Sequence, residues 1–130
     1  MRNGQTPTSG ERAEALSRLV AGIGLAVGVG AAISPRTLLR VYGVDRREVT
    51  GAGAFGWRLF ATRNLYLGTA ALSGQRAARQ AFLPVQILDQ IVFAQAYRTR
   101  PIPRPAALLA MTTSATIIML DLLRRAAERP

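Results

Sequence analysis

Residues 51–74, GAGAFGWRLFATRNLYLGTAALSG, read as one long helix, apolar at both ends, with Arg58, Arg63 and Asn64 in the middle. A helix that buries its surface does not carry two guanidinium groups at its centre unless other groups answer them. The reading of the whole chain turns on where those answers lie.

The next helical stretch, Gln80 to about residue 98, holds a single acidic residue, Asp89, flanked by Gln86 and Gln90. If the two stretches form an antiparallel hairpin turning near residues 75 and 76, Arg63 and Asp89 lie at the same height to within a couple of ångströms, at about 1.5 Å per residue. An unpaired charge at the middle of a membrane helix costs at least about 2.5–3.5 kcal/mol on insertion scales. Arginine offers a carboxylate a two-pronged fit. The spacing therefore predicts an Arg63–Asp89 pair, with Asn64, Gln86 and Gln90 taking up the remaining donors and acceptors. Phe60, Gly56 and Gly53 share a face with Arg63 by steps of three and four, and that face is expected to point inward. Arg58 has no acidic residue level with it. It is expected either to line a polar cavity or to reach an interface. Arg58, Arg63, Asn64, Gln86, Asp89 and Gln90 form the candidate ligand-binding set. A buried pair that only fixes helix register is the competing reading.

Two further apolar helices are expected, at about residues 13–34 and 105–125. The first contains sixteen uncharged residues from Leu19 to Ser34, with a Gly24-xxx-Gly28 spacing that permits close helix contact in lipid. Glu11 and Glu14 ahead of it argue for an uncleaved helix rather than a signal peptide. The second holds Thr112, Thr113, Ser114 and Thr116, whose hydroxyls can bond to their own backbone. Asp121 lies near its end beside Arg124 and Arg125, where water and those charges can accommodate it.

Between the first two long helices, Ser34-Pro35 supplies an N-cap and a first-turn proline. Residues 35–43 read as a short interfacial helix, with Leu38, Leu39 and Tyr42 on one side and Arg36 and Arg40 on the other. Residues 44–50 form a polar link, 73–79 a turn, and 98–105 a proline-stiffened loop. Pro84 opens or kinks its helix because it cannot donate to the carbonyl of Gln80. Residues 1–10 read as a disordered tail. The expected fold is all-α: a four-helix transmembrane bundle in a single domain over residues 11–128. No two-residue alternation supports a strand.

The 130 residues carry a net charge of +10, and all 17 basic residues are arginine. The arginines cluster between long uncharged runs, as membrane flanks do, rather than among stacking aromatics. The expected partner is the lipid bilayer, with a second copy of the chain or another membrane protein as further candidates; nucleic acid is disfavoured. Four spans put both termini on one side, with eight arginines there and seven opposite. That split orients nothing by itself, and the termini are assigned to the cytoplasm only because no export signal is convincing. The chain has no Cys and no His, which removes thiol nucleophiles, disulfides, histidine bases and Cys/His metal sites. No metal or cofactor is expected, and the reading leans away from an enzyme. Two rival readings stand beside it. One is a soluble basic helical oligomer on nucleic acid; the other is a membrane enzyme of redox or isomerase type, with Asp89 as a proton carrier.

The motif Gly56-x-Arg58-x4-Arg63-Asn64-x3-Gly68, followed by Pro84 and Asp89 and preceded by Ser34-Pro35 and Tyr42-Gly43, is similar to that of small four-helix actinobacterial membrane proteins of unknown function, loosely DoxX-like. The resemblance covers most of residues 15–125. It implies a four-helix fold and membrane location, and brings no activity with it.

Overall fold

The computed structural model describes residues 6–129. Helix α1 spans Ser9–Ile33, α2 Pro35–Val41, α3 Gly51–Leu72, α4 Arg76–Thr99 and α5 Arg104–Glu128, with one 3-10 turn at Arg46–Glu48. The described residues are all-helical, with no strand among them.

Local chemistry sets these boundaries, and it moves several of them. Thr8 accepts from the Glu11 amide at 3.3 Å while its own amide donates to Glu11 Oε2 at 2.7 Å, a reciprocal cap. Helix α1 therefore starts at Ser9, inside the expected tail; residues 1–5 of that tail lie outside the described residues. Ser34 caps α2 through the Thr37 amide, with Pro35 at the first helical position. Thr50 caps α3. Helix α4 begins at Arg76 rather than near residue 80, so Arg79 belongs to its first turns and not to the preceding loop. The hairpin between α3 and α4 is correspondingly tight, with Gly74 at φ +84°. At the other end of α4, Arg100 adopts the left-handed conformation that stops the helix, and the expected loop over 98–105 shrinks to residues 100–103.

Pro84 sits well inside α4. The Gln80 carbonyl it leaves without a helical donor accepts Arg125 Nη2 at 2.9 Å from α5. The helix thus continues past the proline because a neighbour fills the gap.

The four long helices alternate in direction, so the start of α1, the α3–α4 turn and the end of α5 share one end of the bundle. Around the ring, α1 packs most extensively on α3 and on α5, and α4 on α5; the α3–α4 seam is the loosest. Glycine explains the tightest contact. A Cβ at Gly68 would fall 2.6 Å from Leu25 Cγ and 3.1 Å from the Ala21 carbonyl oxygen; one at Gly28 would fall 3.1 Å from the Leu65 amide nitrogen. Of the Gly24-xxx-Gly28 pair, Gly28 therefore lies against the α3 backbone, whereas Gly24 faces the Phe82 ring of α4, 3.1 Å from where a Cβ would fall. The Gly53 and Gly56 face does not: both are exposed, and a Cβ at Gly56 would meet nothing within 4 Å. The inward face of α3 is set by Ala61, Asn64, Leu67 and Gly68, further down the helix.

The interior is built from small and polar groups. Among the described residues seventeen apolar ones are buried, ten of them alanine, and Phe82 is the largest fully buried side chain. Buried with them are Ser17, Asn64, Gln86, Asp89, Ser114, Asp121 and Arg124. The outside carries the bulk: seventeen large hydrophobic side chains among the described residues are exposed, including Phe55 and Leu59 on α3, Leu88, Ile91 and Val92 on α4, and Leu122 and Leu123 on α5. Helices α1 and α5 are each long and apolar enough to cross a membrane. Over α2 and the link, Leu39, Val44, Val49 and Ala106 form a second apolar cluster that closes the upper end.

Candidate functional site

The polar residues of α3 and α4 converge where the bundle is loosest. Arg63 Nη2 donates to Asp89 Oδ2 at 2.7 Å, with side-chain exposures of 37% and 10%. The expected pair is therefore formed, with Asp89 deep and the guanidinium partly open. The pair is single-pronged, and Arg63 Nε is buried without a hydrogen-bond partner. Phe60 lies beneath it: the guanidinium carbon stands 4.8 Å from the ring centroid, which adds a cation–π contact.

The other members of the candidate set divide. Asn64 is 2% exposed, and its Oδ1 has no partner. Gln86 is buried; its backbone carbonyl accepts Ser114 Oγ from α5 at 3.0 Å. Gln90 donates through Nε2 to the Met111 carbonyl at 2.9 Å, leaving Oε1 unpartnered, so it ties α4 to α5 rather than supporting the ion pair. Arg58 stands apart: it is exposed on the outside of α3 and does not line the cavity. The cavity role considered for it is thus corrected. The physical reason is angular, since five residues turn a helix through about 140° from Arg63.

Asn64, Gln86 and Asp89 border a narrow internal cavity of about 30 Å³, room for one or two waters. Thr113 and Ser114 from α5 complete its polar side; Tyr42, Trp57, Phe60 and Phe93 supply aromatic walls. Trp57 and Phe60 meet edge to face at 5.3 Å. Tyr42 at the end of α2 makes the short helix part of this wall. Sequence reasoning did not gather these aromatics, because they come from three elements whose mutual register is a tertiary fact. The one available signal was the Trp57, Phe60, Arg63 spacing along α3.

The polar side offers both kinds of group, since the side-chain amides of Asn64 and Gln86 each carry a donor and an acceptor. The Thr113 and Ser114 hydroxyls already donate to the carbonyls of Leu109 and Gln86. Asn64 Oδ1 and the carboxylate of Asp89 are acceptors by nature.

A second polar cluster lies at the end of the bundle that holds the termini. Asp121 is 1% exposed and receives Arg124 Nε at Oδ1 and Arg125 Nε at Oδ2, each at 2.8 Å. Arg124, 3% exposed, also reaches Glu128 at 2.8 Å. Arg79 grips Glu14 with both terminal nitrogens, at 2.7 and 3.1 Å, and donates Nε to the Ala71 carbonyl at 3.0 Å. The neighbouring charges do accommodate Asp121, as expected. Asp121 is nevertheless buried deeper than expected near a helix end, and the arginines that hold it also reach the Arg79 and Gln80 carbonyls of α4.

No protein-family model matches the chain, and no curated protein or solved structure matches it either.

Proposed function

We propose that this protein is a multi-pass integral membrane protein with four spans and cytoplasmic termini, whose inner polar cluster serves as a binding site. The observation that carries the reading is the inversion of the bundle: alanine, glycine and polar groups inside, large aliphatic and aromatic side chains outside. Water disfavours that arrangement and hydrocarbon does not. Helices α3 and α4 are not among those apolar enough by composition to cross a membrane: α3 carries exposed Arg58 and half-buried Arg63, and α4 buried Gln86 and Asp89, while Ile87, Leu88, Ile91 and Val92 form an apolar outer face on α4. Exposed hydroxyls on α5 are compatible with lipid: Thr112 and Thr116 donate to the carbonyls of Leu108 and Thr112 at 2.8 Å. Arg58, about two turns below the start of α3, is long enough to reach the headgroups. In this setting α2 lies at the interface, with Arg36 and Arg40 outward and Leu39 against the bundle.

The binding role rests on Asn64 and Asp89 bordering a cavity among aromatic walls, with an acceptor left over. The proposed resemblance to small DoxX-like membrane proteins is compatible with the same reading: of its motif residues, Asn64, Gly68 and Asp89 are buried and Arg63 lies at the edge, while Gly56 and Arg58 are exposed. The test is extraction. The protein should stay in the membrane pellet through an alkaline carbonate wash and be released by detergent; recovery in the wash would contradict the proposal.

A further inference from the structure

We propose that the α3–α4 seam is a lateral entrance from the bilayer, and that the site it serves takes a neutral, lipid-soluble molecule headed by a hydroxyl group. The inference rests on the membrane placement argued above and names the ligand class for that site.

Three observations lead there. First, the seam is open where it meets the outside. Gly53, Gly56, Trp57, Phe60 and Phe93 line a surface groove of about 220 Å³. Its walls Trp57, Phe60 and Phe93 are also walls of the inner cavity, so groove and cavity adjoin. The groove exists because two residues of α3 lack side chains just above the aromatic pair. Second, the inner end is lined by the side-chain amides of Asn64 and Gln86, each carrying a donor and an acceptor. Asn64 is buried, borders the cavity and has an unpartnered Oδ1; the Thr113 and Ser114 hydroxyl protons are already committed. A head group that can both donate and accept, as a hydroxyl does, matches these amides. Third, the charge is balanced. Asp89 is neutralised by Arg63 at 2.7 Å, so neither a cation nor an anion gains a free counter-charge there. A cation would also meet the arginine.

The sizes agree with this division. The inner space of about 30 Å³ holds a hydroxyl and its carbon, while the groove takes the apolar body between the aromatic rings. Asn64 and Trp57 are seven residues apart on one helix, about 10 Å along its axis. A six-carbon chain anchored by its hydroxyl at Asn64 therefore ends beside Trp57.

Trp57 is the only tryptophan in the chain, which makes the test direct. Its fluorescence is recorded in lipid nanodiscs during titration with bromohexanol, whose bromine lies at the end away from the hydroxyl, and with bromohexane. The expected result is saturable quenching by the alcohol at a roughly three- to tenfold lower concentration in the lipid than the alkane, both corrected for partition into the nanodisc, the worth of one hydrogen bond made away from water. Asn64→Leu should erase that difference. Gly56→Leu, whose new side chain enters open space, should suppress saturable quenching by both probes while leaving the fold intact. Equal, unsaturable quenching by both compounds would overturn the proposal, as would an undiminished preference in Asn64→Leu. If Asn64→Leu fails to fold, the Gly56→Leu result decides: quenching unchanged from wild type overturns the lateral entrance. Nanodiscs made with brominated phospholipid separate the two layers of the argument. Quenching of Trp57 by those lipids, without discrimination between the probes, defeats the ligand and leaves the membrane placement standing; no quenching by the lipids defeats the placement itself.

Discussion

Arg63 donates to Asp89 across 2.7 Å at the one seam of the bundle where the helices are least closely packed. Helix α3 is held to α1 by glycine contacts, and α4 to α5 by hydrogen bonds from Gln90 and Ser114. The ion pair thus bridges two halves that each have their own adhesion.

Removing one partner leaves the other charged with nothing to answer it. Asp89→Ala should destabilise the protein by about 1–3 kcal/mol, below the roughly 3–5 kcal/mol typical of fully buried pairs because Arg63 is 37% exposed. Thermal denaturation in detergent reads this. The exchanged pair, Arg63→Asp with Asp89→Arg, should recover part of what each single change loses. A double variant no better than the worse single one would contradict the pairing.

The buried carboxylate at the other end should matter more. Asp121 and Arg124 are 1% and 3% exposed, and Asp121 holds two guanidinium groups. Asp121→Asn should cost about 3–5 kcal/mol, because Arg124 then keeps only the exposed Glu128 as a counter-charge. The same denaturation assay should rank it below Asp89→Ala.

Two glycines of α3 should respond in opposite directions. Gly68→Ala forces a methyl to within 2.6 Å of Leu25 Cγ and close to the Ala21 carbonyl, and should cost about 1–3 kcal/mol. Gly56→Ala meets nothing within 4 Å and should raise stability by about 0.5–1 kcal/mol through helix propensity alone. A matched pair of melting curves checks both.

These contrasts also show what was legible in the sequence. The level of Arg63 and Asp89 followed from helix rise and hairpin length, quantities that depend only on residue number. The close face at Gly24 and Gly28 followed from spacing. The direction of Gly53 and Gly56 did not: both are exposed and line the open groove with Phe93 of α4 instead of entering the core, which only the packing of α3 on its neighbours decides. The start of α4 reads late because Arg76 and Arg79 look like the charges of a turn, and Pro84 reads as either an opening or a kink. Nothing local announces that Arg125, from another helix, will satisfy the carbonyl that proline strands. The burial of Asp121 was hidden for the same reason: its neighbours in sequence supply the charges, but the carbonyls that those arginines also reach belong to α4.

At the N-terminus, the Thr8 backbone amide and then the Thr8 hydroxyl hold the Glu11 carboxyl below its ordinary range. A depressed acid contributes above its unfolded value and loses that contribution as the pH falls through the folded one. The first turn of α1 should therefore loosen on acidification below the usual glutamate range. NMR chemical shifts of Thr8 and residue 11 should follow that titration in the wild type and not in Glu11→Gln.

The account depends most on what surrounds the outer faces. The chain has no cysteine, so single cysteines can be introduced at Leu59, Leu88 and Leu109, all exposed, and at Arg47 in the link, without further changes. Nitroxide labels at these sites, in protein reconstituted into bilayers, report collisions with oxygen and with a water-soluble nickel chelate. The account predicts high oxygen and low nickel accessibility at the first three positions, and the reverse at Arg47. Nickel accessibility at Leu59, Leu88 and Leu109 as high as at Arg47 would contradict it.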